Sequence, residues 1–75
     1  MANRTVRELT LALKHRNWWV RADAARALGK IGPAAVSAVR ALRAARKDEN
    51  SWVRVDAAWA LGSIDPDAEA EGKEG

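Results

Sequence analysis

The sequence predicts an all-α fold: four antiparallel helices, at about 4–14, 18–31, 33–47 and 51–64, forming a fragment of a right-handed α-α superhelix. Three observations carry this. One helix is written twice, Trp19-Val20-Arg21-Ala22-Asp23-Ala24-Ala25-Arg26-Ala27-Leu28-Gly29-Lys30-Ile31 returning as Trp52-Val53-Arg54-Val55-Asp56-Ala57-Ala58-Trp59-Ala60-Leu61-Gly62-Ser63-Ile64. The composition is helix-forming, dominated by Ala, Leu, Val and Arg with no Phe or Tyr. Turn and cap residues separate the apolar stretches, whose spacing is helical.

Thr5-Val6-Arg7-Glu8 has the form of a capping box, with Asn3 as a competing cap, so the first helix starts near residue 4 and runs to Lys14. Val6, Leu9 and Leu13 share one face. Leu11 lies off that stripe and must be covered by a neighbour or left exposed. His15-Arg16-Asn17 breaks the pattern, and Asn17 suits an N-cap because its side-chain oxygen accepts from free backbone N–H groups. In the second helix Val20, Ala24, Ala27, Leu28 and Ile31 form the core stripe. Ala25 sits at the edge of that stripe. Trp19, Asp23, Arg26 and Lys30 share the opposite face.

Gly32-Pro33 ends the second helix and starts the third, since proline suits a first helical position where its missing N–H is not needed. Val36, Val39 and Leu42, with Ala35 and Ala38, make the inner face of that third helix. Arg40, Arg43, Arg46 and Lys47 crowd its outer and C-terminal parts, where the helix dipole favours cations. Asp48-Glu49-Asn50-Ser51 supplies the next turn and cap. The fourth helix turns Val53, Ala57, Ala60, Leu61 and Ile64 inward. Asp65-Pro66 ends it, because the residue before proline is pushed out of helical geometry. The expected domain is therefore 3–65. Residues 66–75 hold three glutamates, two glycines and no large apolar side chain, and read as a disordered acidic tail.

Composition narrows the function classes. There is no cysteine, so disulfides and thiolate metal sites are excluded, and His15 is the only histidine. No metal or other cofactor is expected. No apolar run approaches the roughly 18 residues of a membrane span. The N-terminus lacks a signal-peptide core. A cytoplasmic protein without membrane contact is the expectation. No Ser/His/Asp or Cys/His set, phosphate loop or carboxylate pair suggests catalysis. The net charge of +3 is uneven: residues 1–47 carry eleven Lys and Arg against two acids, and residues 48–75 carry two against eight. A basic first part attracts nucleic acid or the chain's own acidic end.

Sliding the chain on itself by about 33 residues aligns 5–31 with 38–64. The matches include Asn17/Asn50, Arg21/Arg54, Asp23/Asp56 and Gly29/Gly62, which apolar patterning alone would not reproduce. The pattern Val-Arg-x-x-Ala-Ala-x-Ala-Leu-Gly-x-Ile, after a turn with Asp and Asn, resembles HEAT-like repeats, closest to the PBS-lyase HEAT-like subclass. The resemblance spans about residues 5–65, or about two units. It implies a second helix of one repeat, a complete repeat, and the first helix of another. It also implies that each unit buries its apolar face against its neighbours, and that the third helix lines the concave surface.

The copies differ most on one face of the fourth helix. Arg26 becomes Trp59, Ala22 becomes Val55 and Lys30 becomes Ser63, so that Trp52, Val55 and Trp59 form an apolar stripe. Three readings stand: a makeshift cap folded over the helix end, a self-association or partner surface, and a ligand groove lined by indoles. Trp19 matches Trp52 and suits local packing; Trp18 matches Ser51 and is less constrained. Arg21 and Arg54 suit an ion pair or a carbonyl bond to a neighbouring turn, with Asp23, Asp48 or Asp56 as possible partners. The expected partner-binding residues are Trp52, Val55, Trp59, Trp18 and Leu11. The leading expectation is a non-enzymatic interaction module forming a homodimer or longer stack, or holding another protein. The basic face of Arg40, Arg43, Arg46 and Lys47 keeps nucleic-acid binding as an alternative. The family resemblance adds a phycobiliprotein lyase-type subunit.

Overall fold

The computed structural model describes residues 4–67, and its helices begin where the sequence supplies caps. At Thr5 the capping box closes reciprocally: the Glu8 N–H donates to Thr5 Oγ1 at 3.0 Å, and the Thr5 N–H donates to Glu8 Oε1 at 2.9 Å. Helix α1 follows, Val6–Ala12. It is shorter than the expected 4–14. The Leu13 N–H is shared between the carbonyls of Leu9 and Thr10 (3.2 Å each), and the Lys14 N–H bonds to Leu11 three residues back, so the helix tightens and ends there. Helix α2, Trp18–Ile31, starts after Asn17 as expected, but the Asn17 side chain makes no capping bond. Gly32 then ends α2 with φ 81°, a left-handed conformation that glycine adopts without a Cβ penalty.

The third helix departs from expectation. Residues Gly32–Ala38 form a 3₁₀ helix, and α3, Val39–Ala45, begins only after it. Pro33 occupies the first turn, and Ala35 kinks the backbone (φ −95°, ψ 20°). Three residues per turn aligns Ala35 with Ala38. Both are buried, and the stripe continues through Leu42 and Ala45. Val36 is one step off this stripe and is exposed, contrary to its expected place on the inner face. Val39 is half-buried. Helix α4, Ser51–Ile64, is capped by Asn50 Oδ1, which accepts from the N–H groups of Trp52 (2.8 Å) and Val53 (3.2 Å). Asp65, with φ −150° and ψ 90°, breaks it before Pro66. Of the acidic tail expected over 66–75, only Pro66 and Asp67 fall within the described residues.

Helices α2 and α4 lie side by side and share the most extensive contact among the described elements. α1 packs on α2, α3 packs on α4, and the 3₁₀ helix touches α1, α2 and α4. The Cα envelope is 40 × 27 × 14 Å, a slab two helices thick. Leu28, Leu42, Leu61 and Val53 are the largest fully buried side chains, with Leu9, Leu13 and Ile64 beside them. Much of the remaining core is alanine, at positions 24, 25, 35, 38, 57 and 60. Small side chains let the helix axes approach closely but bury little area each, so this core is thin for its length. No helix among the described residues is long and apolar enough to cross a membrane.

Candidate interaction surface at the end of the stack

Because α2 and α4 are copies, each pair of equivalent residues reports what covers it. On one side α2 is closed: Ala22 is 5% exposed, and Ala25 and Gly29 are buried. The equivalents on α4 are open: Val55 is 61% exposed, and Ala58 and Gly62 are only half-buried. On the other side the order reverses. Val53, Asp56, Ala60 and Ile64 of α4 are buried, whereas Val20, Ala27 and Ile31 of α2 are less so and Asp23 is exposed. Ile64 is 5% exposed and Ile31 38%. Val20, Ala27 and Ile31 were expected in the core. They fall short of it because α2 has no preceding helix on that side among the described residues.

The contact between α2 and α4 has two specific elements. A Cβ built on Gly29 collides with the Trp59 ring and comes within 3.0 Å of the Ala60 Cα, so the ring lies directly on the glycine backbone. At Gly62 a Cβ meets nothing within 4 Å. The second element is ionic. Arg21 donates from Nε to Asp48 Oδ2 at 2.8 Å and from Nη2 to Asp48 Oδ1 at 3.0 Å. Its third nitrogen, Nη1, donates to the carbonyls of His15 (2.7 Å) and Arg16 (3.0 Å). This bidentate pair is mostly shielded from solvent. Of the partners weighed for Arg21, the structure selects Asp48.

Arg54 repeats half of this arrangement. Its Nη1 donates to the Asp48 carbonyl at 2.7 Å, as Arg21 does to His15. Its Nε and Nη2 have no partner among the described residues. Burial pushes the Asp48 carboxyl up. The Arg21 hydrogen bonds, the Asn50 backbone N–H and the charges of Arg21 and Arg54 outweigh it and hold the group below its ordinary value. Asp48 Oδ1 also accepts from the Asn50 N–H at 2.9 Å. In the first copy His15 Nδ1 accepts from the Asn17 N–H at 3.0 Å, so His15 shapes the same turn without a carboxylate.

Trp52, Val55 and Trp59 are all exposed on α4. Trp59 sets the Cε3–Cζ3 side of its ring against Gly29, so only its remainder belongs to the open side. Trp18 is exposed elsewhere: it meets Trp19 edge-on, with centroids 6.2 Å apart and planes at 90°. Together with Ala22, Asp23 and Arg26 the pair lines a shallow groove on α2. Leu11 is exposed on α1. The structure therefore groups Trp52, Val55 and Trp59 on one helix but leaves Trp18 and Leu11 on others. On α3 and the turn after it, Arg40, Arg43 and Lys47 are exposed and Arg46 is half-buried. Sequence reasoning missed Arg26–Asp56, a 3.4 Å pair between the copies, and the seat of Trp59 on Gly29. The recurrence of the glycine in both copies was the available signal for the latter.

The family model for HEAT repeats matches residues 5–71. Comparison with curated proteins and with solved structures finds no match.

Proposed function

The chain belongs to the HEAT repeat family, and we propose that it is a non-enzymatic protein-interaction module that associates through the open side of α4, with a second copy or with another protein. HEAT repeats generally mediate protein–protein interaction. The observation that carries the reading is the inversion of Ala22 and Val55. A small residue stands where the neighbouring helix closes over the surface, and a larger apolar one stands where it is open. Exposed apolar groups that include tryptophan mark interfaces. In a homodimer the same patch is used twice, α4 against α4.

Val55→Asp tests this. Val55 is solvent-exposed in the single chain, so the change leaves the fold in place and puts a charge in the proposed contact. In light scattering across the micromolar range the chain should exceed its monomer mass, and Val55→Asp should return it to monomer. A monomer at every concentration, indistinguishable from Val55→Asp, would sink self-association. A second reading, nucleic-acid binding, draws on the outward Arg40 and Arg43 of α3. A salt-dependent mobility shift removed by Arg40→Ala/Arg43→Ala would support it. The family match is to HEAT repeats as a whole and favours no lyase subclass.

A further inference from the structure

The groove on α2 joins two indoles to a carboxylate that nothing engages. Trp18 and Trp19 meet at 90° with centroids 6.2 Å apart, and with Ala22, Asp23 and Arg26 they line a space of about 290 Å³. Trp18 is 41% exposed and Trp19 56%. Two rings at right angles bound a corner, and a group seated in it meets the π face of each. Asp23 follows Trp19 by one helical turn, on the same side of α2. Its carboxylate makes no ion pair or side-chain hydrogen bond among the described residues. Arg26, the cation of the lining, is drawn to Asp56 at 3.4 Å, so its charge is offset where that of Asp23 is not. The second copy lacks this arrangement. Trp52 and Asp56 repeat Trp19 and Asp23, but Ser51 stands where Trp18 does, and Asp56 is buried and held by Arg26. The groove is therefore a property of α2 and not of the repeat motif.

We propose that this groove binds a methylated ammonium group, a trimethylammonium carried by a small molecule or by a side chain. The negative faces of the indoles attract a cation, and quaternary ammonium ligands are recognised in this way. A trimethylammonium spreads its charge over apolar methyl groups, so it gives up little hydration to lie against two rings. A bare ammonium is strongly hydrated and does not. Asp23 supplies the counter-charge. An anion would meet an unpaired carboxylate and an arginine already engaged, and a neutral apolar ligand would leave Asp23 unused. The site is independent of the docking reading for α4. None of its lining residues lies on that helix, so Val55→Asp should leave binding here unchanged.

Choline, and its uncharged analogue with carbon in place of nitrogen, are titrated into the nitrogen-labelled chain and followed by NMR at the four indole N–H signals. Choline should shift the Trp18 and Trp19 signals saturably and leave those of Trp52 and Trp59 in place. It should bind at least about fivefold more tightly than the analogue, the scale of a cation–π contact at an exposed site. Trp18→Ser gives the first copy the residue of the second and should abolish the shift at Trp19. Asp23→Asn should weaken choline about threefold and leave the analogue unaffected. Both side chains are exposed, so circular dichroism should show the helices intact in each variant. Trimethyllysine amide and phosphocholine, titrated alongside, identify the carrier: preference for the first assigns a modified protein chain and preference for the second a choline headgroup, and either supports the proposal. An analogue that binds as well as choline, an unmethylated lysine amide that binds as well as the trimethylated one, a Trp52 signal that moves as far as that of Trp19, or no saturable shift overturns it.

Discussion

Helices α2 and α4 carry nearly the same sequence, yet each is closed on the side where the other is open. Ala22, Ala25 and Gly29 are buried because α4 lies over them, and Val55, Ala58 and Gly62 are their uncovered counterparts. Burial in a stacked repeat is thus set by the neighbour and not by the motif. The residues that vary between copies follow the neighbour too. Trp59 stands at the Arg26 position and reaches back to Gly29 across the helix contact.

The two glycines give the sharpest way to break the comparison. Gly29→Ala forces the new Cβ against the Trp59 ring and the α4 backbone, and should destabilise the chain by about 3 kcal/mol. Gly62→Ala adds a Cβ in open space within a helix and should stabilise it, by up to about 1 kcal/mol. Urea unfolding of the two variants measures both. Equal effects would mean that the Trp59 seat contributes nothing.

The arginines come next. Arg21→Ala removes a shielded bidentate pair and leaves Asp48 without its main partner, at a cost of about 2 kcal/mol. Arg54→Ala loses a single exposed bond to a carbonyl and should cost about 0.5 kcal/mol. The same pair gives the chain a pH dependence. The folded-state pKa of Asp48 lies below its ordinary 3.8. Its contribution is therefore complete above that value and is lost as pH falls through the lower folded value. Unfolding followed from neutral pH down through this window should show an acid-side decline that is shallower in Asp48→Asn.

Much of this was legible in the sequence, for identifiable reasons. Helices α2 and α4 were placed at their observed bounds, because caps and a shared period fix both ends. The partner of Arg21 was narrowed but not chosen, since Asp23, Asp48 and Asp56 are all within plausible reach and only the inter-repeat geometry selects Asp48. Val36 is misplaced because its spacing to Val39 and Leu42 gives one inward line and the alanines give another, and in the 3₁₀ segment it is Ala35 and Ala38, one residue away, that take the buried line. Ile31 is misplaced for a different reason: its periodicity is right, but no helix among the described residues covers that side. Trp52, Val55 and Trp59 could be grouped from spacing alone. Trp18 and Leu11 could not be assigned to the same surface, because their neighbours depend on how α1 and α2 pack.

The two caps offer the smallest contrast and the cleanest. Asn17 and Asn50 are the same residue, one position before equivalent helices, with nearly the same extended backbone. Only Asn50 uses its side chain as a cap, accepting from Trp52 and Val53. Asn50→Ala should therefore cost about 1 kcal/mol, the usual value of an N-cap. Asn17→Ala removes no side-chain bond that the structure shows and should cost at most a few tenths of that scale. The turn before Asn17 is held instead by His15 Nδ1, so His15→Ala should cost more than Asn17→Ala, reversing what capping preference alone predicts. Thermal unfolding of the three variants decides it. If Asn17→Ala costs as much as Asn50→Ala, the first copy caps its helix as the second does, and the two repeats differ in their neighbours alone.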